Sequence, residues 1–175
     1  MTDPDVTAVI AEQHEETKQA LRGLLAHRGA ERADLFRKLR VTMALHETAE
    51  ELTVHPEAMR QLGGNDRSIR DRVAEESEAG QLIGRLELLD NDSDAFGDGF
   101  EELATSVTRH AQSEEADEWP ALREITDMAA NERMVAVMSA VPGLAEDSHG
   151  LARDAIFSQM LGWAEQELAR EVPSS

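Results

Sequence analysis

Four stretches of this chain carry an apolar stripe at helical spacing, and histidine or glutamate breaks each stripe near its middle. Over residues 5–27 the stripe reads Ile10, His14, Thr17, Leu21 and Leu24, and over 31–54 it reads Leu35, Leu39, Thr42, His46 and Glu50. Over 66–89 it reads Ile69, Val73, Glu76, Gly80 and Ile83, and over 95–118 Phe100, Leu103, Val107, His110 and Glu114. Steps of three and four place each set on one helix face. The sequence is rich in Ala, Leu, Glu and Arg and shows no strand-like alternation. Breakers at His27-Arg28-Gly29, Gly63-Gly64-Asn65-Asp66 and Asp90-Asn91-Asp92-Ser93 leave only short turns between the long helices. Short turns favour antiparallel neighbours. The prediction is an all-α chain, an up-down-up-down four-helix bundle with an additional C-terminal helical segment. Residues 1–122 form the bundle and 123–175 a helical extension that packs on it in one compact domain. Within the extension, irregular helix runs to about 140, Pro142-Gly143 breaks the chain, and a fifth helix covers 147–170.

The interrupting residues fall at one depth. Counted outward from the turn they share, His14 and His46, Glu50 and Glu76, and Glu76 and His110 each differ by two positions, about 3 Å of helical rise. In an antiparallel bundle they meet in one layer. Buried carboxylates without partners cost several kcal/mol each. No Lys or Arg stands on these stripes to offset them, so a pair of divalent cations is the simplest source of positive charge. His46-Glu-Thr-Ala-Glu50 and His110-Ala-Gln-Ser-Glu114 both read H-x-x-x-E. An i, i+4 pair lies on one face and can hold one metal while reaching towards a second. Imidazole with carboxylate suits iron or manganese.

Charge and composition narrow the alternatives. The formal net charge is −19, from 17 basic and 36 acidic residues, which argues against nucleic acid and anionic lipid as partners. There is no Cys for a thiolate site and no Tyr to serve as ligand or radical. No apolar run is long enough to span a membrane. The first residues lack the basic-then-apolar order of a signal peptide, so the cytoplasm is the default expectation.

His14 in EQHEE, HETAEE at 46–51, His55-Pro56, AEESEA at 74–79 and HAQSEEADEWPAL at 110–122 together resemble the hemerythrin-like family, the HHE cation-binding domains. The resemblance covers about residues 5–122. It implies a four-helix bundle around two non-haem irons, Fe2+ or Fe3+, with a bridging oxo or hydroxo group. Manganese is the other metal the ligand types admit. The chain departs from the family in its third helix, where members carry a His and this sequence has none between 56 and 109. Glu76 stands at that place, with Glu75 as the neighbouring alternative. A site richer in carboxylate favours the ferric state, which weakens a reading as reversible oxygen carrier. His55 lies five residues past Glu50, about 140° round an ideal helix. Pro56 disfavours α conformation at the residue before it. A local unwinding there would bring His55 onto the metal, or just outside it, or leave it at the surface.

The expected metal ligands are thus His14, His46, Glu50, His55, Glu76, His110 and Glu114. Glu47, Glu51, Glu78 and Glu115 are expected at the surface or just behind the ligands, and His27 and His149 at helix ends. Trp119 is expected to pack at the end of the bundle or to cover the site. Met128, Met134, Met138 and Met160 are expected to seal core. The fifth helix, with Leu151, Ile156, Met160, Leu161, Trp163 and Leu168, packs across the bundle, caps the site or joins two copies, so monomer and homodimer both stay open. No separate base, nucleophile or nucleotide loop stands out, so any catalysis would be the metal's own. The resemblance implies binding, sensing or processing of a small diatomic ligand or peroxide. An iron-storage protein and a metal-free helical interaction module are the competing readings.

Overall fold

The computed structural model describes residues 5–63, 67–125, 127–148, 155, 158 and 160–162. Every regular element among them is helical: α1 (Val6–Leu24), α2 (Gly29–Ala49), a π turn (Glu50–Val54), α3 (His55–Gln61), α4 (Arg67–Leu86), α5 (Asp94–Asp117), α6 (Trp119–Arg123) and α7 (Met128–Asp147). No described helix is long and apolar enough to cross a membrane. Helix α1 packs on α2 and α5, and α4 packs on α5, α2 and α3. Four helical rods in this cyclic order make the expected all-α bundle, and α7 is the additional C-terminal helix, lying against α1, α2 and the π turn.

Local chemistry sets the helix ends. Asp5, Ser93 and Asp127 cap α1, α5 and α7, their side-chain oxygens accepting from backbone N–H groups two or three residues on. Gly29 opens α2 at φ +58, a left-handed conformation that glycine adopts without strain. Its N–H donates to the Asp92 carboxylate. Buried Arg32 donates to the carbonyls of Leu25, His27 and Asn91. The α1–α2 and α4–α5 turns are thereby pinned together at one end of the bundle.

Two apolar clusters fill the interior. Near the pinned end lie Leu21, Leu24, Phe36, Leu39, Leu82, Leu86, Phe96, Phe100 and Leu103. At the other end Val6, Ile10, Leu45, Ala49, Val54 and Trp119 meet Met134, Val137, Met138 and Val141 of α7. In α1, α4 and α5 the histidines and glutamates that break the stripes fall between the two clusters.

Four details differ from the sequence reading. The second rod does not end at 54 but continues through Pro56 to Gln61. Pro142 does not break the chain: it lies inside α7, which runs unbroken from Met128 to Asp147. On α4, Arg72 is buried and Val73 is 39% exposed, so the inward face runs Ile69, Arg72, Glu76, Ala79 and Leu82. Arg72 holds this place because Glu75 and Asp117 pair with its guanidinium. Met134, Met138 and Met160 are buried, but Met128, first residue of α7, is exposed, because the Asp127 cap turns it towards solvent. Most of the fifth helix expected at 147–170, with His149, Leu151, Ile156, Trp163 and Leu168, lies outside the described residues.

Candidate metal centre

The layer between the two clusters gathers the candidate ligands of all four rods. His14, His46 and Glu50 offer donor atoms within 4.8 Å of one another, as do Glu50, His110 and Glu114, then Glu50, His55 and Glu76, and finally His55, Glu114 and Glu118. All seven residues singled out from the sequence fall in these groups. Glu50 belongs to three of them. Glu76, not Glu75, turns inward.

His55 reaches the layer by a route the sequence reading did not foresee. It does not leave the α conformation: its φ is −60° and its ψ −43°. The chain instead widens over Glu50–Val54 into a π turn, and the N–H of His55 donates to the carbonyl of Glu50. One turn then takes about one residue more than an α turn, so residues five apart share a face. Thr53 Oγ1 donates to the carbonyl of Ala49 at 2.7 Å, supplying a partner where the ladder changes step.

Each of the four imidazoles is held the same way. Nδ1 meets a side-chain acceptor and Nε2 faces into the layer. His14 Nδ1 lies 3.1 Å from Glu115 Oε1, His46 Nδ1 2.8 Å from Gln13 Oε1, His55 Nδ1 3.0 Å from Glu118 Oε2, and His110 Nδ1 3.2 Å from Glu75 Oε2. For His14, His46 and His110 the acceptor on Nδ1 leaves the proton there and the lone pair on Nε2, the arrangement metal-bound imidazoles show; the Nε2 of His55 instead lies 2.8 Å from Glu76 Oε1. Three of these acceptors adjoin an inward residue in the sequence: Gln13 beside His14, Glu75 beside Glu76, Glu115 beside Glu114. One residue of each pair turns in, while the other reaches sideways to the histidine of the neighbouring helix.

Inside the layer the polar atoms lack partners. Nε2 of His14, His46 and His110, both carboxylate oxygens of Glu50 and of Glu114, and Oε2 of Glu76 are buried without a hydrogen bond. His46 Nε2 lies 3.1 Å from Glu50 Oε1 and His14 Nε2 3.2 Å from Glu114 Oε2, close but not aligned to bond. Buried polar atoms in native proteins nearly always find a partner, and such a set with lone pairs converging fits a hard or borderline cation.

The electrostatics show the same deficit of positive charge. Burial, with Glu114, Glu76 and Glu118 nearby, pushes the Glu50 carboxyl well above its usual range. Burial likewise raises Glu76, to about 7, with His55 working against it. Burial and the other imidazoles lower His46 to about 3, so its ring is neutral. His55 goes the other way: burial opposes its charge, but hydrogen bonds to Glu118 and Glu76 outweigh that and raise it to about 10. Glu114 is held below the usual carboxylate range, because His14, His55 and His110 together overcome its burial.

Glu118 and Gln13 are the residues the sequence reading missed, and it left Glu115 at the surface or behind the ligands without a partner. Glu118 is fully buried, and its signal was in plain view: it follows Glu114 at the same four-residue interval that separates Glu114 from His110. Glu47 lines a cavity of about 30 Å³ that adjoins His14, His46, Glu76 and His110 and is walled by Met43 and Val107. Glu51 and Glu78 are exposed. His27 is a half-buried residue just past the end of α1, paired with Glu31. Trp119 is buried at the end of the layer, its ring nearly parallel to His14 at 6.4 Å between centroids.

Among known families, the description that matches is the hemerythrin HHE cation binding domain, over residues 5–122. No curated protein and no solved structure matches the chain.

Proposed function

The chain belongs to the hemerythrin HHE cation-binding domain family, and on that premise we propose that it is a non-haem di-iron protein that binds and processes a small oxidant. The observation that carries this reading is the set of buried, partnerless donors: three inward Nε2 atoms, both oxygens of Glu50 and of Glu114, and Oε2 of Glu76. His14, His46 and Glu50 would hold one ion, and His110 and Glu76 the other, with His55 beside Glu76. Glu50 and Glu114 each serve more than one group of donors, which suits carboxylates lying between two ions. When bound, the iron pair supplies Lewis acidity and one-electron chemistry at an open position.

The chain's own residues do the rest. Glu115, Gln13 and Glu75 keep the lone pairs of His14, His46 and His110 turned inward, and Glu118 holds the Nδ1 of His55. Met43, Ala79, Val107 and Ala111 give the adjoining cavity an apolar wall. A cavity of about 30 Å³ has room for about two water molecules. That space suits oxygen, nitric oxide or hydrogen peroxide. The carboxylate-rich donor set favours Fe3+, and so favours oxidant chemistry over reversible oxygen carriage.

Elemental analysis of untagged protein, joined to a near-ultraviolet and visible spectrum in air, tests the reading. Two irons per chain with oxo-to-iron charge-transfer bands support it, and titration with oxygen, nitric oxide and peroxide then ranks the ligands. A fully folded protein that takes up no iron when iron is added anaerobically would sink it, leaving the polar layer as a device that fixes helix register.

A further inference from the structure

Three of the four imidazoles are oriented by carboxylates, which when ionised only accept hydrogen bonds and so settle by themselves which nitrogen carries the proton. His46 is the exception. Its Nδ1 meets the side-chain amide of Gln13. An amide presents a donor at one end and an acceptor at the other, and cannot dictate a tautomer unless its own orientation is fixed.

The carbonyl of Met138 fixes it. Gln13 Nε2 donates to that oxygen at 2.7 Å across buried surface between α1 and α7. A carbonyl only accepts, so the NH2 end must face α7 and the oxygen end must face His46. His46 must then carry its proton on Nδ1 and keep its Nε2 lone pair free. The carbonyl is available because the residue four positions on, which would donate to it in a regular helix, is Pro142 and has no N–H. Without this constraint a competing arrangement is at hand. Glu50 Oε1 lies 3.1 Å from His46 Nε2, and a ring protonated at Nε2 would turn its ligand nitrogen into a donor.

We infer that Pro142, through the Met138 carbonyl and Gln13, positions His46 as a metal ligand, so that α7, which lies beyond the residues the family match covers, is a working part of the metal centre. This rests on the di-iron reading for its consequence in metal binding, but the tautomer it predicts is a property of the metal-free protein.

The test uses the full chain with Gln13→Met and Pro142→Ala. Gln13→Met keeps volume and removes both hydrogen bonds. Pro142→Ala touches no ligand and gives the Met138 carbonyl a competing backbone donor, so it should fold at least as well as the parent. Imidazole ¹⁵N shifts of metal-free protein report the tautomer of His46. The parent should show Nδ1 protonated and Nε2 bare, and both variants should move towards a mixture. Anaerobic titration with iron(II) should then show one of the two ions bound about 10–100-fold more weakly in Gln13→Met, and several-fold more weakly in Pro142→Ala despite an unchanged or raised metal-free melting temperature. An unchanged His46 tautomer in both variants overturns the inference. So does iron(II) affinity that stays at the parent value in both. If the parent itself binds no iron, the proposed function fails, and the ¹⁵N shifts still decide this positioning role.

Discussion

The N–H of His55 bonds to the carbonyl of Glu50, five residues back, and both side chains face the same polar layer. The π turn between them acts as one extra residue taken up inside an α-helix without turning the flanking faces apart. Deleting exposed Glu51 should therefore be tolerated. The shortened rod returns to α spacing, the two side chains become four residues apart, and they still share a face. Inserting an alanine after Glu50 should instead rotate everything beyond it by about 100°. Iron content per chain separates the two: near the parent value for the deletion, clearly reduced for the insertion.

His55 gives the metal-free protein a distinctive response to alkali. Its folded pKa is raised to about 10, against about 6.5 for an unfolded chain. The stabilisation from its charge is complete below about pH 6.5 and drains away as pH rises through about 10. Glu76, raised to about 7, acts in the same sense between its unfolded value of about 4.5 and its folded one. Metal-free protein should thus melt lower at about pH 10 than at about pH 7. A loss of about 2 kcal/mol is worth roughly 4–8 °C in a domain of this size. In His55→Ala the slope over that alkaline range should largely vanish, which differential scanning calorimetry can check.

Glu118 is predicted to matter as much as the residues that the motifs advertise. It is fully buried and bonded to His55 Nδ1. Glu118→Ala leaves a buried, charged imidazole with one partner where it had two, a change of about 3 kcal/mol in metal-free stability. It should also weaken iron binding by about tenfold, since acceptors behind a ligating imidazole contribute on that scale. Glu78→Ala, on the exposed face of α4, should change neither quantity.

The bundle and the depth of its polar layer were legible because both follow from spacing. Steps of three and four located the faces, and distance from each turn located His14, His46, Glu76 and His110 in one layer. Spacing fails where the backbone leaves the α repeat or where the decisive group is not a side chain. His55 lies five residues from Glu50, which an ideal helix forbids, and Pro56 pointed to unwinding where the chain in fact widened. Pro142 read as a break because a proline removes a helical hydrogen bond. The freed carbonyl found a donor on another helix, Gln13, and no local pattern announces that pairing. From the sequence Glu115 belongs at the surface or just behind the ligands and Glu75 is only the alternative to Glu76, because a sequence does not show that a side chain reaches sideways to the neighbouring rod.

Arg32 should govern stability without touching the metal. It donates to three carbonyls from the two turns at the pinned end while nearly buried itself. Arg32→Ala leaves those carbonyls short of a donor, at a cost of about 3 kcal/mol. Urea unfolding should show a lower midpoint, with iron stoichiometry and the visible spectrum unchanged. A spectral change would mean that the two ends of the bundle are mechanically coupled.

Glu50→Gln is predicted to move stability and metal binding in opposite directions. In metal-free protein Glu50 lies among Glu114, Glu76 and Glu118 and is fully buried. Its carboxyl is raised well above its usual range, so the folded chain holds its proton to higher pH than the unfolded chain does. Holding that proton costs stability progressively as pH rises above the unfolded value of about 4.5. A neutral amide of the same shape removes the cost, so metal-free Glu50→Gln should melt higher than the parent, most clearly at neutral pH and above. The same change takes away the carboxylate shared by three of the four donor groups, and iron content should fall. In the parent, bound metal adds to stability because the unfolded chain cannot bring the donors together. Loading with iron should therefore raise the parent's melting temperature well above that of Glu50→Gln, reversing their metal-free order. If the variant melts lower than the parent with and without iron, interactions other than burial and carboxylate repulsion govern Glu50.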